Sequence, residues 1–475
     1  MAEKTDVEKT TEEILKDAAE LHEYLRTYGS LKDQDKPLVV SGILLALDDK
    51  FFKPNDLLGD ETTTDGQLIY DAIKRRLKAS NVGPDAKRDK LMSEFSIIRT
   101  SARLNEVDTK LGKTPLKFYT EFLKKNVFDN IKYRSSSEDF IGRFYGEFMR
   151  YSGGDGQTLG IVLTPRHICD LFCDLLDIQA TDIVLDPCCG TAGFLVAAMH
   201  HMLEKAGTDQ NTRKNIKKKQ LHGFELQSNM FAIAATNMIL REDGNSNIKG
   251  EDFLRQNPAQ VQLKGATVGM MNPPYSQGSK EDPSQYELSF VEHLLDSLTE
   301  GAKAAVIVPQ SSMTGKTKDE QAFKESIMKN HTLEGVITCN TATFYGVGTN
   351  PVIAIFTAHE PHPNDKLCKF IDFRNDGYEV RAHVGLVEGD SAKDKRQHLL
   401  DVWFGRTEAA SNFCVESTVK AEDEWIHSFF YFNDEIPTDI DFEKTIGDYL
   451  TFEFSMVMQN REYLFKQRGE SNAKC

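Results

Sequence analysis

The chain lacks any uninterrupted apolar stretch long enough to cross a lipid bilayer. Its first residues, MAEKTDVEKTTEEILKDAAELHEYL, are charged and spaced like a helix, and they lack the apolar centre of a signal peptide. We therefore expect a cytoplasmic protein that makes no membrane contact.

Cysteine is present without the pattern of a disulfide framework or of a metal site. The eight cysteines are scattered, with Cys188 and Cys189 adjacent. Cys169 and Cys173 lie one helical turn apart near His167, but no second ligand pair follows at the spacing of a zinc site. We expect these two thiols to lie on a buried helix face, and we predict no bound metal.

A surplus of positive charge is absent as well, because the formal net charge is -16. This balance excludes a protein that coats nucleic acid with a uniformly basic surface, although it leaves room for a local basic cleft. The basic clusters RKNIKKK at 213–219 and KDKRQ at 393–397 stand out from the acidic background. We interpret both as solvated surface segments.

The composition that is present, 40% hydrophobic and 27% charged, is that of an ordinary globular protein. A chain of 475 residues exceeds the size at which one core keeps growing, so two or three domains are expected. Apolar residues at helical spacing predict a helical N-terminal domain over residues 1–150. The glycine-rich segment at 151–160 predicts a boundary, followed by a domain at 151–375 and a C-terminal region at 376–475 that ends in a helix or helix pair.

Strand-like and helix-like segments alternate in the middle of the chain. Apolar runs with the length of strands lie at 181–186, 221–225, 267–271, 304–309, 333–338 and 351–356. This alternation predicts an α/β fold with a parallel, doubly wound sheet and helices on both faces. Ligands of such sheets bind at the carboxyl ends of the strands, where Asp186, Glu225 and Asn272 are expected.

The segment DPCCGTAGF at 186–194 has the features of a ligand-binding loop between a strand and a helix. Gly190 and Gly193 allow a tight turn, and the amides of Thr191, Ala192 and Gly193 form the positive end of the helix. The pattern is not G-x-G-x-x-G, so it does not favour a dinucleotide. With Asp186 before the turn, it favours a different nucleoside ligand.

Acidic residues after the next two strands narrow the choice of that ligand. Glu225 can accept hydrogen bonds from both ribose hydroxyls, and Asp252, followed by Phe253, can accept one from an adenine amine. An adenosine without phosphates, whose amino-acid end lies near the glycine loop, matches these groups. We therefore predict S-adenosylmethionine as the cofactor.

The segment MMNPPYSQG at 270–278 places two rigid prolines between an amide and a phenol. Proline fixes φ and removes a backbone donor, so Asn272, Pro273, Pro274 and Tyr275 form a stiff segment whose carbonyl groups are available as acceptors. A group with hydrogens to donate is expected to dock there.

These two segments together resemble the adenine-N6 class of amino-group DNA methyltransferases, and in particular the modification subunit of type I restriction-modification systems. The segment GIVLTPRHI at 160–168 is similar to the family's preceding cofactor segment. That similarity implies that Thr164, Pro165 and Arg166 lie beside the methionine end of the cofactor. The family also has a helical N-terminal domain and a helical C-terminal tail.

The resemblance implies a Rossmann-like methyltransferase domain that transfers a methyl group to the adenine N6 amine in double-stranded DNA. The Asn272 side-chain oxygen and the Pro273 carbonyl would accept the amine hydrogens, and Tyr275 would stack on the extruded base. A second aromatic face is assigned to Phe344, with Tyr345 as an alternative and core packing as a third reading. The tetrad alone would also suit methyl transfer to protein glutamine or RNA amines, and a catalytically idle scaffold is a further alternative.

The resemblance also implies partners, because no segment has the size of a large target-recognition domain and no nuclease or helicase motif is evident. Sequence choice would come from a separate DNA-specificity subunit, and cleavage from a restriction subunit with nuclease and translocase activity. The C-terminal segment carries many apolar side chains that either dock on another chain or fold back on this one: Phe452, Phe454, Val457, Met458, Tyr463 and Leu464.

Overall fold

The protein is described here from a computed structural model that covers residues 11–129, 163–241, 247–345, 348–381, 385–433 and 437–458. Contacts between residues divide the chain into two compact units, Met1–Phe430 and Tyr431–Cys475. The boundary predicted at 151–160 lies outside the described residues. The predicted division into three domains stays a prediction.

The N-terminal region is helical, as the spacing of its apolar residues predicts. Its helices are α1 (Thr11–Gly29), α2 (Lys36–Leu47), α3 (Asp65–Ala79), α4 (Asp85–Glu94), α5 (Ile97–Thr100), α6 (Ala102–Asn105) and α7 (Pro115–Leu123). The sequence of α2, KPLVVSGILLAL, is apolar on all sides, and every residue of this helix is buried. Gly42 makes this packing possible, because a Cβ atom there would lie 2.3 Å from Cδ1 of Ile98.

Strands occur at all six apolar runs, and further strands extend the sheet. They are β1 (Val184–Asp186), β2 (Leu221–Phe224), β3 (Asn247–Lys249), β4 (Val268–Met271), β5 (Lys303–Pro309), β6 (Thr332–Cys339), β7 (Pro351–Thr357), β8 (Cys368–Phe373), β9 (Tyr378–Arg381), β10 (Gly385–Glu388) and β11 (Cys414–Ser417). The main sheet has the order β11-β8-β6-β7-β5-β4-β1-β2-β3, and β9 and β10 form a separate hairpin.

The sheet is mixed, so the predicted parallel pairing holds for part of the sheet and is wrong for β7 and β11. The strands from β3 to β5 are paired in parallel, but β7 runs antiparallel to both β5 and β6. The connection from β6 to β7 covers only 340–350, and its described residues, 340–345 and 348–350, form no helix. A direct return of this kind produces an antiparallel neighbour. Strand β11 also pairs antiparallel with β8.

Helices cover both faces of the sheet, which confirms the doubly wound α/β fold. They are α8 (Arg166–Leu175), α9 (Gly193–Lys205), α10 (Gln210–Lys219), α11 (Ser228–Leu240), α12 (Pro258–Gln262), α13 (Glu287–Asp296), α14 (Gln310–Thr314), α15 (Lys318–Asn330), α16 (Ala392–Trp403) and α17 (His427–Phe430). Successive strand residues contribute to different cores: Val184 and Met270 to one, Leu185 and Met271 to the other.

The order of the strands determines where a ligand can bind. The chain runs outward from β1 through β2 to β3, and then continues on the other side of β1 with β4 and β5. This reversal between β1 and β4 opens a crevice at the carboxyl edge of the sheet. Asp186 ends β1, Glu225 follows β2 and Asn272 follows β4, so the predicted residues do lie at strand ends.

The smaller unit, described by itself, contains one long helix, α18 (Asp439–Met458). None of its residues is buried. Phe452, Phe454, Val457 and Met458 are all exposed, whereas Tyr463 and Leu464 lie outside the described residues. Within the described parts of the whole chain, no helix combines the length and the apolar character that a bilayer crossing requires.

Candidate active site

The loop after β1 contains two residues in the left-handed conformation. Gly190 has a φ of +51°, which supplies the expected turn, but the second positive φ, +69°, belongs to Ala192 and not to Gly193. Helix α9 begins at Gly193. The side chain of Asn237 on α11 donates a hydrogen bond to the Thr191 carbonyl at 2.8 Å and so holds the turn from the side.

Asp186 is a buried carboxyl group at the base of this loop, with 1% of its surface exposed. Its Oδ1 accepts a hydrogen bond from the Cys188 amide at 3.2 Å, while Oδ2 is buried without a hydrogen-bond partner. Burial raises the pKa of Asp186 well above its usual value. A buried oxygen of this kind is suited to accept a hydrogen bond from a ligand.

Glu225 is attached to the same loop. Its Oε2 accepts from the Gly190 amide at 2.9 Å, and its Oε1 accepts from the Gln227 amide at 2.8 Å. Burial raises the pKa of this carboxyl group too. Leu226 beside it is 65% exposed, and an apolar side chain at this position can cover the face of a bound base. No motif in the sequence pointed to Leu226.

Asp252 caps a short 3₁₀ turn, Phe253–Arg255, that follows β3. Its Oδ1 accepts from the Leu254 amide at 3.1 Å, and Arg255 lies 3.3 Å from its Oδ2. Phe253 is buried, and its ring lies 5.4 Å from that of Phe224. The capping role of Asp252 explains its residue type without a ligand, so a contact with adenine stays a prediction.

The segment Asn272-Pro273-Pro274-Tyr275 follows β4 directly. The Asn272 Nδ2 donates a hydrogen bond to the Thr164 hydroxyl at 2.9 Å. Pro273 is buried and Pro274 is exposed. The Tyr275 hydroxyl donates to the Ile307 carbonyl of β5 at 3.2 Å. The structure thus brings Thr164, from the predicted cofactor segment, into contact with the predicted catalytic amide.

The neighbouring residues of Thr164 begin a helix. Pro165 is the N-cap residue of α8 and Arg166 is its first residue. The Arg166 Nε donates to Asp170 one helical turn later, at 3.2 Å. Since Thr164 precedes this helix, its bond to Asn272 places the start of α8 beside the predicted catalytic segment.

The two aromatic candidates for base stacking differ in exposure. Phe344 is 3% exposed and packs edge-on against Tyr275, with ring centroids 6.0 Å apart and the planes at 77°. Tyr345 is 52% exposed. Phe344 therefore supports the Tyr275 ring in this structure, and direct stacking of Phe344 on a base stays a prediction.

The comparisons with known proteins point to one family. A family model described as N-6 DNA Methylase matches residues 136–428. The type II restriction enzyme and methyltransferase RM.BcgI of Heyndrickxia coagulans is 45% identical over 463 residues, which are 97% of this chain and 72% of that protein. The chain belongs to the N-6 DNA methylase family. It is a DNA adenine methyltransferase of restriction-modification systems.

More distant relatives agree with this assignment. The methylase subunit of the type I restriction enzyme EcoKI from Escherichia coli (strain K12) is 26% identical over 250 residues, which are 49% of this chain and 47% of that subunit. The match therefore spans about half the length of either protein.

Two solved structures share the fold of this methyltransferase. A chain of a type I restriction-modification complex has a TM-score of 0.63 at 16% identity and covers 97% of this chain and 100% of its own. A type I methyltransferase subunit from Streptococcus thermophilus has a TM-score of 0.59 at 14% identity, with coverages of 86% and 96%. At such identities the likeness concerns the fold alone.

Three cysteines near the loop after β1 and in α8 are part of the packing of the methyltransferase. Cys169, Cys173 and Cys189 are buried free thiols, and burial raises the pKa of each well above its usual value. Among the described residues, no group of His, Cys, Asp and Glu side chains could hold a metal ion.

Sequence reasoning missed one further carboxylate at the site. Glu287, the first residue of α13, is 6% exposed. Its Oε1 accepts from the amide of Ser276, the residue after Tyr275, at 2.7 Å. Glu287 follows the tetrad at a distance that no motif marks, so only the folded chain reveals this contact.

Proposed function

We propose that the enzyme transfers a methyl group from S-adenosylmethionine to the N6 amine of adenine in double-stranded DNA, as the cytoplasmic modification subunit of a type I-like complex. One observation carries this proposal: the Thr164 hydroxyl holds the amide of Asn272 at 2.9 Å. This contact places the segment predicted to bind the cofactor against the segment predicted to bind the target amine.

The residues of the crevice suit S-adenosylmethionine by charge and by hydrogen bonding. Asp186 and Glu225 present carboxyl oxygens, and Asp186 Oδ2 lacks a hydrogen-bond partner in the structure. A site with these two carboxyl groups favours a ligand that carries positive charge, hydroxyls and amines, and it repels a phosphate. In this proposal Glu225 takes the ribose hydroxyls, and Asp252 and Phe253 contact the adenine. The turn of Gly190, Thr191, Ala192 and Gly193 lies against the cofactor, with Gly190 held to Glu225 through its amide.

The remaining contacts involve the methionine end. Thr164, Pro165 and Arg166 lie beside the catalytic segment and would bind the carboxylate and amine of that end, together with Asp186. When bound, S-adenosylmethionine supplies a methyl group on a positively charged sulfur.

The tetrad prepares the target amine for attack. The amine lone pair of adenine is delocalised into the ring, and hydrogen bonds from the amine to the Asn272 side-chain oxygen and the Pro273 carbonyl localise it. Pro273 and Pro274 keep these acceptors rigid before the base arrives. Because Nδ2 of Asn272 is held by Thr164, the amide presents its oxygen in a defined direction.

The base must leave the duplex to reach this position. Tyr275 stacks on it in our proposal, and its ring is already held by the hydrogen bond to Ile307 and by the edge of Phe344. In the proposal Phe344 either forms a second aromatic face against the base or supports the Tyr275 ring from the side away from the base.

A substrate comparison tests the proposal. Enzyme and methyl-labelled S-adenosylmethionine are incubated separately with unmethylated plasmid DNA, with RNA and with cell protein. We expect label only in DNA, recovered as N6-methyladenine after digestion. Label in glutamine or in RNA would replace the proposed substrate, and the absence of cofactor binding in calorimetry would indicate a scaffold subunit.

The helix α18 supports the proposal of a partner subunit. Its exposed apolar side chains extend along its full length: Ile440, Phe442, Ile446, Tyr449, Leu450, Phe452, Phe454, Val457 and Met458. A surface of this kind is typical of a protein interface. We infer that a separate DNA-specificity subunit binds there, and that a restriction subunit joins the same complex.

A further inference from the structure

The segment that follows the catalytic tetrad is anchored by the buried carboxylate of Glu287. Its Oε1 accepts from the Ser276 amide at 2.7 Å, and its Oε2 accepts from the Ser312 hydroxyl at 3.3 Å. Glu287 begins α13, so the positive end of that helix balances part of its charge. The carboxylate is thus held in place from three sides.

The residue that Glu287 holds has an unusual backbone conformation. Ser276 has a φ of +57°, a region that residues other than glycine seldom adopt. Such a conformation persists where the surrounding structure maintains it. Glu287 supplies that support, because it bonds the Ser276 amide directly after Tyr275.

Hydrogen bonds therefore hold the tetrad at three points: at its first residue, at the Tyr275 hydroxyl and at the amide that follows Tyr275. The amide of Asn272 is bonded to Thr164, the hydroxyl of Tyr275 to the Ile307 carbonyl, and the amide of Ser276 to Glu287. The first two anchors act on side chains. The third acts on the backbone and sets the direction in which the chain leaves Tyr275.

We propose that Glu287 is a positioning residue for methyl transfer, which orients the Tyr275 ring and the preceding carbonyl groups through the Ser276 amide. The inference rests on the proposed catalytic role of Asn272–Tyr275. Glu287 itself touches neither substrate nor cofactor in this role. Its loss allows the tetrad to shift, and misplacement of reacting groups by about 1 Å lowers turnover by about a hundredfold.

The test compares three variants of the full-length enzyme, purified with the subunits that accompany it. Glu287→Ala removes both hydrogen bonds. Glu287→Gln keeps an oxygen for the Ser276 amide and a polar group for Ser312. Glu292→Ala is the matched control, because Glu292 lies on the same helix and also accepts from a serine hydroxyl, that of Ser326.

The readouts are the cofactor dissociation constant by titration, the unfolding temperature, and kcat and KM for labelled methyl transfer to unmethylated plasmid DNA. We expect Glu287→Ala to lower kcat about tenfold to a hundredfold with the cofactor affinity unchanged. Glu287→Gln should restore most of kcat. Glu292→Ala should have the kcat of the parent enzyme, although its unfolding temperature should be similar to that of Glu287→Ala.

Two outcomes would overturn the inference: parental kcat in Glu287→Ala, or an equal loss of kcat in Glu287→Ala and Glu292→Ala. Asn272→Ala, assayed in parallel, separates this inference from the proposed function. If Asn272→Ala is inactive while Glu287→Ala is fully active, the proposed function stands and the role of Glu287 is wrong. If Asn272→Ala is fully active, the catalytic role of the tetrad is itself wrong.

Discussion

At the scale of single residues, two carboxyl groups at neighbouring strand ends define the chemistry of the proposed cofactor site. Asp186 is buried and Glu225 is half-buried, and burial raises the pKa of each. Keeping two such groups ionised near each other is costly unless a ligand donates hydrogen bonds to them or carries positive charge. In the proposed mechanism the tetrad, in contrast, acts through neutral oxygens, which can accept hydrogen bonds from an amine without taking its proton.

Substitution of Asn272 by Ala tests the role of its side-chain oxygen as an acceptor for the target amine. We expect cofactor binding to stay close to that of the parent enzyme and methyl transfer to fall by at least about a hundredfold, the scale of losing one preorganised acceptor in a transition state. Single-turnover transfer of labelled methyl groups to DNA, together with cofactor titration, measures the two effects. Turnover close to that of the parent would contradict the mechanism.

Substitution of Asp186 by Asn tests the buried carboxyl group through pH. A group whose pKa is raised by folding stabilises the folded state fully below its unfolded pKa of about 3.9, and this contribution is lost as pH rises through the folded pKa. Without cofactor, the parent enzyme should therefore lose stability relative to Asp186→Asn as pH rises above about 4. The cofactor affinity of the variant should fall.

Urea unfolding at a series of pH values measures this difference. Each unit by which burial raises the pKa corresponds to about 1.4 kcal/mol. If the free energy of unfolding depends on pH in the same way in the parent enzyme and in Asp186→Asn, the prediction is wrong, because the Asp186 carboxyl group then has the same pKa in the folded and the unfolded chain.

At the scale of secondary-structure elements, helices that pack against the sheet connect parts of the site that are distant in the chain. Helix α13 is an example: Glu287 at its start holds the residue after the tetrad, and His293, two turns later, packs edge-on against Phe253 with ring centroids 4.7 Å apart. The same helix thus contacts both the residue that follows the tetrad and Phe253, which is predicted to bind the cofactor. Its packing on the sheet sets the relative position of the two.

Substitution of Gly223 by Ala tests the packing of β2 against the cofactor loop. A Cβ atom at this position would lie 2.8 Å from Cδ1 of Ile248 and 3.1 Å from the Cys189 sulfur. We expect a loss of about 1–3 kcal/mol in the free energy of unfolding, the usual range for overpacking a core. Weaker cofactor binding should accompany it, because Cys189 belongs to the loop.

Substitution of Gly190 by Ala is the matched comparison. Nothing lies within 4 Å of a Cβ atom there, and the cost comes from its φ of +51° alone. Urea unfolding and cofactor titration compare the two variants. Parental stability and affinity in Gly223→Ala would mean that the strand can shift away from the loop.

At the scale of the whole molecule, the two compact units carry different kinds of surface. The unit Met1–Phe430 has its apolar side chains in two cores on either side of the sheet. The unit Tyr431–Cys475 has no buried residue among those described in α18. This contrast separates the proposed catalytic function from the proposed docking function.

Removal of residues 431–475 tests that separation. We expect the shortened chain to bind cofactor like the parent, because the described site lies within the larger unit, and to lose association with its partner subunit. Co-purification with the partner and cofactor titration measure the two properties. Loss of cofactor binding would contradict the separation.

A point variant refines this test. Ile446→Asp combined with Leu450→Asp places charge on the apolar surface of α18, whereas Glu443→Ala with Lys444→Ala changes exposed polar residues of the same helix. Only the first pair should abolish association. Equal effects of both pairs would indicate that the helix itself, and not its apolar surface, is required.

The sequence by itself determined the helical N-terminal region, the six strands at the apolar runs, and the placement of Asp186, Glu225 and Asn272 at strand ends, because hydrophobic periodicity and turn residues are local signals. The motifs also determined the family. Only the tertiary structure decided the antiparallel course of β7, the bond of Thr164 to Asn272, the packing of Phe344 behind Tyr275, and the anchor that Glu287 provides. Those contacts join residues far apart in the chain, and their energies depend on which atoms the fold brings together rather than on the residues next to them.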